Sequence, residues 1–242
     1  MMKVVSIIPA RYQSKRFPGK PLVEIAGKPM IEHVYRRVER VELIDEVIVA
    51  TDDDRIYDTV ADFGGKAWMT SAEHSSGTDR IAEVAREISC DIVVNVQGDE
   101  PVIKSEMIKS ALNPLLNNVN IEMSTLKCEI NDDIEMNDPN IVKVITDLNN
   151  NAIYFSRSLV PYLRGKEIKV YKHIGLYVYT RDFLLQFSSM ESTPLEEAES
   201  LEQLRVLENG YNIRVVETKY NSIGVDIPED VDRVERVLQS ID

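Results

Sequence analysis

Residues 4–8, with the sequence VVSII, are a short run of mostly β-branched residues that predicts a buried strand. A loop punctuated by three prolines and two glycines follows over 9–28, and a helix is expected to open at Pro29. Residues 46–51 (EVIVAT) predict a second strand. A strand, a loop, a helix and a second strand in this order form the unit from which parallel sheets are built.

The same alternation continues to residue 129. It predicts strands near 66–70, 91–96 and 121–129, and helices from Asp52 or Asp53 to Gly64, over 78–88 and from Ser105 to about 117. Alternating strands and amphipathic helices are typical of the α/β class. We therefore expect a Rossmann-like fold with a mixed, mostly parallel sheet and helices on both of its faces.

The pattern changes after residue 130. Residues 131–140 are polar, 141–147 and 152–157 predict a hairpin around three asparagines, and 172–180 alternate as a further strand. Residues 131–180 are therefore expected to form an antiparallel excursion from the parallel core. The chain is expected to end with one helix over 195–208, a strand over 213–217 and a helix from Pro228. A single domain over 1–242 is therefore predicted.

Composition excludes several classes of protein. With 28 basic and 41 acidic residues, the formal net charge of −13 argues against nucleic acid as a partner. No stretch approaches the roughly 20 apolar residues that span a bilayer, and a strand stands where a signal peptide would lie, so a soluble cytoplasmic protein without a membrane partner is expected. Cys90 and Cys128 are expected to be buried thiols, because no Cys/His cluster completes a zinc site.

The first loop concentrates positive charge. Arg11, Lys15, Arg16 and Lys20 lie within ten residues that contain no acid. The loop is either a solvated surface or a pocket that gathers an anionic ligand against the overall negative field. It contains neither the G-x-G-x-x-G fingerprint of dehydrogenases nor the Gly-Lys-Ser/Thr of P-loop NTPases.

Two acids follow predicted strand ends. Asp99 lies in the segment VQGDEP at 96–101, and Asp226 lies in SIGVDIP at 222–228. Each is either a turn or cap residue or a ligand that holds Mg²⁺ against substrate phosphates, and the two carboxylates could converge on one ion.

Other candidates are weaker. Ser76 is a helix cap or a binding residue, and Arg80 is either an anion ligand or a surface ion-pair partner. By itself, His173 is expected to have a structural role. Glu202 and Gln203 lie beside the apolar stripe of their predicted helix, so each is either a binding residue or an ordinary solvated residue.

An ordered set of motifs makes the chain resemble the CMP-Kdo synthetases, which activate 3-deoxy-manno-octulosonate (Kdo). The motifs are IPAR at 8–11, FPGKPL at 17–22, ATD at 50–52, SGTDR at 76–80, VNVQGDEP at 94–101, PNIVKV at 139–144, YFSR at 154–157, HIGLY at 173–177, LEQLR at 201–205 and GVD at 224–226. They cover nearly the whole chain. The segment 158–172 is shorter than in some relatives.

The resemblance implies a nucleotide-sugar transferase fold and the transfer of CMP from CTP to Kdo for lipopolysaccharide synthesis; the alternative is a related acidic sugar such as the 8-amino analogue. It implies that Arg11 and Lys20 contact the CTP phosphates and that Asp99 and Asp226 hold Mg²⁺. It also implies a base or sugar pocket formed by Arg80, Gln97, His173, Tyr177, Glu202 and Gln203, and Ala10, Arg16 and Ser76 are expected as further substrate-binding residues.

A homodimer is also expected, through the excursion at 131–180. That segment carries apolar residues that the strand–helix core alone does not obviously bury, namely Ile153, Phe155, Leu159, Val160, Tyr162 and Leu163. Two rival functions are weighed. A Rossmann dehydrogenase lacks support because its fingerprint is missing, and a non-catalytic nucleotide sensor would be expected to have lost Lys20, Asp99 or Asp226.

Overall fold

The computed structural model describes residues 2–14, 16–165, 168–221 and 223–240. Lys15 of the first loop and Ser222, ahead of Asp226, lie outside the described residues. The chain divides into two compact units, one formed by Met1–Lys109 with Ser222–Asp242 and the other by Ser110–Asn221. The single domain over 1–242 stays a prediction.

The first unit is built on parallel strands. They are β1 (Val4–Ala10), β4 (Glu46–Thr51), β5 (Ala67–Met69) and β6 (Ile92–Asn95), in the spatial order β6-β1-β4-β5. In the register, Ile7 lies between Ile48 and Asn95. The apolar side chains of β1, β4 and β6 are almost fully buried, as expected for strands of a parallel sheet that is covered on both faces. The carboxyl ends of all four strands therefore lie along one edge of the sheet.

The first unit's helices follow the expected alternation. They are α1 (Met30–Glu39), α2 (Asp54–Asp62) and α3 (Gly77–Glu87), and α4 (Ser105–Asn117) runs past the boundary of the unit. Asp53 caps α2 by accepting from the Arg55 N–H at 3.0 Å, and Gly64 follows its end in a left-handed conformation. The predicted boundaries of these helices are thus confirmed to within a few residues. A short antiparallel hairpin lies at the end of the predicted 9–28 loop and reaches Pro29. Its strands, β2 (Glu24–Ile25) and β3 (Lys28–Pro29), have two residues each.

The second unit contains the expected antiparallel excursion. Its strands are β7 (Met123–Ile130), β8 (Lys143–Thr146), β9 (Ala152–Ser156), β10 (Val170–Thr180) and β11 (Arg214–Glu217). Strand β7 lies between β11, which is parallel to it, and β10, which is antiparallel, and β8 pairs antiparallel with both β10 and β9. The predicted hairpin and the alternation of 172–180 are confirmed.

The second unit's helices differ from the expectation. The predicted helix over 195–208 is two helices, α7 (Pro194–Glu199) and α8 (Leu204–Glu208), because Ser200 adopts a left-handed conformation with φ 52° that ends the first of them. Two further helices were not expected, α5 (Asp133–Asn137) and α6 (Arg181–Ser188). Helix α6 begins directly after β10, where the Thr180 hydroxyl accepts from the Phe183 N–H at 3.3 Å.

The last helix, α9 (Asp230–Gln239), belongs to the first unit and begins two residues after Pro228, the expected start. It packs its buried side chains, Val234 and Leu238, into a cluster with Ile25, Met30 and Val102. Val225 also belongs to this cluster, which fixes the position of the chain one residue before Asp226. None of the helices in the described part of the chain is long and apolar enough to cross a bilayer.

The apolar residues of the excursion divide into two groups. Ile153 and Tyr162 are 55% and 85% exposed, and Leu163 is also exposed. Phe155 is completely buried within the second unit, and its ring lies 5.0 Å from the ring of His173. The expectation that Phe155 contributes to an apolar surface is therefore wrong, since the unit's own sheet covers it.

Candidate active site

A cavity of about 300 Å³ lies in the first unit at the carboxyl edge of its strands. A volume near 300 Å³ is at the lower end of the range for small-molecule sites. The lining includes nine residues that the sequence singled out, namely Ala10, Arg11, Arg16, Lys20, Ser76, Arg80, Gln97, Asp99 and Asp226. The structure thus brings together the basic loop and both strand-end acids.

A backbone hydrogen bond closes the basic loop. The Gly19 N–H donates to the Tyr12 carbonyl at 2.8 Å, and Gly19 has φ +72°, a conformation that L side chains rarely adopt. The Tyr12 ring fills the space where a β-carbon at Gly19 would lie. A short 3₁₀ helix starts at Lys20, directly after this turn. The loop therefore delivers the Lys20 ammonium to the cavity.

The Lys20 ammonium lies between the two acids. Its Nζ is 2.6 Å from Asp99 Oδ2 and 3.8 Å from Asp226 Oδ1, and Arg16 donates to Asp226 Oδ1 at 2.9 Å. Both acids therefore lie beside the same ammonium, and their convergence on one metal ion stays a prediction. The sequence showed no basic partner beside either acid, whereas each acid has one in space, contributed by a loop far away in the chain.

Backbone contacts hold the two acids together. The Val225 N–H donates to the Asp99 carbonyl at 2.9 Å, and the Asp226 N–H donates to Asp230 Oδ2 at 2.8 Å. A β-carbon on Gly98 would lie 2.9 Å from the Pro9 carbonyl oxygen, so glycine allows the turn after β6 to pass close to the end of β1. The backbone at both acids is thus fixed by contacts among the turn after β6, the segment before α9 and the first residue of α9.

The donor set at this point suits a hard divalent cation. Mg²⁺ prefers oxygen ligands and is commonly held by one or two carboxylates together with substrate phosphates and water. Asp99 and Asp226 supply such a pair, with a positive charge already seated between them. Within the described ranges, no cluster of three or more His, Cys, Asp or Glu side chains offers a site built from protein ligands alone.

Arg80 is buried, which corrects the surface ion-pair alternative, whereas its role as an anion ligand stays a prediction. It is 3% exposed, donates to Asp52 Oδ2 at 2.9 Å and to the Thr70 hydroxyl, and still lines the cavity. No sequence pattern indicates Asp52 or Thr70 as its partners, although Asp52 ends the ATD motif at 50–52. Arg80 is therefore a buried, immobilised cation rather than a surface one.

Ser76 and Gln97 have local partners. The Ser76 hydroxyl caps α3 by accepting from the Asp79 N–H at 3.0 Å, and Gln97 Nε2 donates to Asn95 Oδ1 at 3.1 Å. Both side chains nevertheless border the cavity. Arg11, in contrast, is exposed at the cavity mouth and has no ion-pair partner among the residues that the structure describes.

The remaining four candidates lie in the second unit. His173 and Tyr177 are on β10 with ring centroids 5.3 Å apart, and Glu202 and Gln203 are in the turn between α7 and α8. Burial lowers the pKa of His173 to about 3, so the imidazole is neutral at physiological pH. Burial, and then the charge of Glu202, raise the pKa of Tyr177 well above its usual value, so the phenol keeps its proton. Gln203 is buried, which corrects the interpretation of it as a solvated residue.

Comparison with known proteins places these features in a family. The family model described as "Cytidylyltransferase" matches residues 5–217. The 3-deoxy-manno-octulosonate cytidylyltransferase of Geobacter metallireducens is 56% identical over an alignment that covers 96% of both chains. The protein of the same name from Solibacter usitatus is 51% identical and is covered to 95% of its length.

Solved structures agree with the family match. A CMP:2-keto-3-deoxy-manno-octonic acid synthetase, solved in complex with CTP, is 43% identical and superposes with a TM-score of 0.95, covering 98% of this chain and 99% of the other. The 4-diphosphocytidyl-2C-methyl-D-erythritol synthase of Anaerococcus prevotii is only 18% identical, with a TM-score of 0.65 over 98% of this chain and 99% of the other, and shares the fold alone. The expected nucleotidyltransferase fold is confirmed.

Proposed function

The chain belongs to the cytidylyltransferase family, and we propose that it transfers CMP from CTP to Kdo and releases pyrophosphate. Relatives that carry this name are more than 50% identical over nearly the full length. The observation in the structure that supports the proposal is the cavity in which Lys20 Nζ lies within 4 Å of both Asp99 and Asp226. The 8-amino analogue is not favoured as the substrate, because the relatives are named for Kdo itself.

The reaction joins two anions. The anomeric hydroxyl oxygen of Kdo attacks the α-phosphorus of CTP and loses its proton to solvent, the bond between the α-phosphorus and the α–β bridging oxygen breaks, and pyrophosphate leaves with the electron pair. Preorganised positive charge is the main means by which a protein lowers the barrier of such a transfer. Arg11, Arg16 and Lys20 supply it from the basic loop, and Arg80 is held rigidly by Asp52 at the inner wall.

We further propose that Asp99 and Asp226 hold Mg²⁺ in the loaded enzyme. When bound, the ion would neutralise phosphate charge and lower the pKa of the attacking hydroxyl, so that no dedicated protein base is needed. Lys20 now occupies the point between the two carboxylates. Its ammonium is thus a resident counter-ion, free to move to the phosphates once another cation takes its place.

The sugar is assigned to the second set of residues. His173 is neutral and Tyr177 is protonated, so both are suited to hydrogen bonds with hydroxyl groups rather than to proton transfer. Glu202 and Gln203, which follow the left-handed turn at Ser200, add polar atoms from the α7–α8 connection. A site built from such polar groups rejects a ligand that leaves them unpaired.

The first test is an assay of pyrophosphate release with each of the four nucleoside triphosphates, Mg²⁺ and a panel of 2-keto-3-deoxy sugar acids. CTP with Kdo is expected to be strongly preferred, because a pocket that hydrogen-bonds the cytosine edge leaves buried groups unpaired with another base. Equal turnover with UTP and CTP would refute the assignment of the chain as a cytidylyltransferase. Faster turnover with the 8-amino sugar than with Kdo would identify the 8-amino sugar as the substrate.

We also propose that the enzyme is a homodimer that forms through the excursion. Ile153, Tyr162 and Leu163 are exposed in one segment, and a second copy would cover them. Sedimentation at micromolar concentration should give twice 27.6 kDa. The double variant I153E/Y162E should shift the protein towards monomer, whereas V119E, at an equally exposed apolar residue outside the excursion, should not. A monomer in the wild type refutes the dimer.

The cytoplasmic location expected from the sequence stays a prediction. It is supported by the substrate, since CTP is a cytoplasmic metabolite, and it is tested by fractionating cells and assaying CMP transfer. Activity found only in a periplasmic fraction would contradict it.

A further inference from the structure

Strand β10 departs from regular pairing next to His173. Ile174 pairs with Leu126 and Tyr177 pairs with Thr125, so two extra residues, Gly175 and Leu176, stand between consecutive partners on β7. Such bulges re-aim side chains next to binding sites. Here the bulge leaves His173 and Tyr177 with their rings 5.3 Å apart.

The side chain of Thr125 fills this bulge. It is completely buried, and its Oγ1 lies 2.9 Å from His173 Nε2, 3.1 Å from the Ile174 carbonyl and 2.8 Å from the Leu176 carbonyl. One hydroxyl thus has three polar neighbours. The two carbonyl oxygens are acceptors only, whereas the ring nitrogen is a donor in one tautomer and an acceptor in the other.

A hydroxyl carries one proton, and this decides the tautomer. If Nε2 were bare, the threonine proton would go to the ring, and Oγ1 would face two carbonyl oxygens at short distance without a hydrogen between them. If Nε2 carries the proton, the ring donates to Oγ1 and the hydroxyl donates to one of the two carbonyls, so two of the three contacts carry a hydrogen, against one in the other tautomer. The neutral state of the buried ring is consistent with a single protonated nitrogen.

We infer that Thr125 is a positioning residue that holds His173 in the Nε2–H tautomer and thereby leaves Nδ1 as a hydrogen-bond acceptor for a hydroxyl of the sugar. No described residue donates to Nδ1. A bare nitrogen repels a carboxylate and attracts a hydroxyl, so His173 recognises a hydroxyl group of the sugar acid rather than its carboxylate. This assignment of the ligand rests on the proposed function, whereas the tautomer does not.

The tautomer can be observed directly. The chain has three histidines, so the ¹⁵N spectrum of a histidine-labelled enzyme contains three imidazoles, and His173 is identified with a His173→Gln variant. In the ligand-free wild type, His173 is expected to show a protonated Nε2 and an unprotonated Nδ1. A proton on Nδ1 would overturn the inference without any reference to activity.

Two substitutions separate the hydroxyl from the packing. Thr125→Val keeps the shape and removes the hydroxyl, and it is expected to mix the two tautomers and raise KM for Kdo about ten-fold, with KM for CTP unchanged. Thr125→Ser keeps the hydroxyl and is expected to retain both the wild-type tautomer and the wild-type KM for Kdo. A Thr125→Val enzyme with an unchanged tautomer and unchanged KM for Kdo would refute the positioning role.

Ser124→Ala is the matched control. Ser124 is the preceding residue of β7, is buried, and donates to the Ala111 carbonyl. Its loss is expected to lower stability but to leave the His173 spectrum and KM for Kdo unchanged. If Ser124→Ala shifted both as much as Thr125→Val, the effect would belong to the strand and not to the hydroxyl. Failure of the wild type to use Kdo, with the Nε2–H tautomer present, would refute the proposed function and uphold the positioning of the ring.

Discussion

Replacing Lys20 by methionine should change metal affinity and turnover in opposite directions. The ammonium sits 2.6 Å from Asp99 and 3.8 Å from Asp226, at the point where we place Mg²⁺. In the free enzyme it must leave before a metal ion can enter, so it competes with the metal. During the reaction the same charge is expected to stabilise the phosphate groups. Methionine keeps the length of the side chain and removes the charge.

General magnitudes for charged contacts, chosen by the exposure of each acid, set the expected size of both effects. A hydrogen bond to a charged group contributes about 1.5–3 kcal/mol. Since the Asp99 side chain is 34% exposed, the lower value of about 1.5 kcal/mol applies, which corresponds to roughly ten-fold tighter metal binding without nucleotide. Asp226 is 58% exposed and adds little. Turnover should fall about 100-fold, because a preorganised charged contact in a transfer reaction contributes about 3 kcal/mol.

The assay pairs two measurements on the same preparations. Calorimetric titration with Mn²⁺, as a probe for Mg²⁺, gives the metal affinity without CTP, and pyrophosphate release gives turnover. Lys28→Met is the control, because Lys28 carries the same charge in the same unit and, among the described residues, pairs only with Glu32 at 3.5 Å. A Lys20→Met enzyme with weaker metal binding would refute the competition. A loss of turnover of only a few-fold would mean that the basic loop is a solvated surface.

Three further predictions concern the two units. Asp99→Ala and Asp226→Ala should each abolish Mg²⁺-dependent turnover with an unchanged circular dichroism spectrum; near-wild-type turnover would remove that residue as a ligand. Gly98→Ala should lower the unfolding midpoint and turnover, since the new β-carbon would lie 2.9 Å from the Pro9 carbonyl, and a wild-type midpoint would contradict this. The His173 pKa is lowered to about 3 in the folded protein against an ordinary 6.5, so its contribution to stability is complete above pH 6.5 and is lost towards pH 3 at up to roughly 1.4 kcal/mol per pH unit. In urea titrations from pH 7 to pH 4.5, His173→Gln should therefore lose less stability than the wild type, and parallel losses would contradict this.

Most of the fold could be predicted because the signals were local. The β-branched runs of β1, β4 and β6 and the helical spacing after Pro29 need no tertiary information. The break at Ser200 was not predictable in this way, because the leucines on both sides keep helical spacing. Glu199 accepts from the Ser156 hydroxyl at 2.7 Å and from the Arg157 N–H at 2.9 Å, and these contacts from β9 hold the chain where the first helix stops.

The sequence predicted most of the residues that line the cavity, but it did not predict which of them form ion pairs with each other. Strand ends of a parallel sheet converge at one edge, so Arg11, Asp99 and their neighbours were expected together. That Arg16 and Lys20 neutralise Asp226 and Asp99 required the fold, since 210 and 79 residues separate the partners. Thr125 escaped notice because a buried threonine in a strand has no distinctive sequence signal.

The balance of charge explains why a site for two anionic substrates contains two carboxylates. Four cations and two acids line the cavity of a protein whose net charge is −13. Without the acids, Lys20 and Arg16 would have no fixed position in the absence of CTP, and holding them in place is what preorganisation requires. Asp226 contacts Arg16 and Asp99 contacts Lys20, and both cations come from the basic loop. The acids therefore position positive charge rather than repel the substrates. On the proposal that Asp99 and Asp226 also hold Mg²⁺ when phosphates arrive, their negative charge is compensated by the Lys20 ammonium in the empty site and by the metal ion in the loaded one.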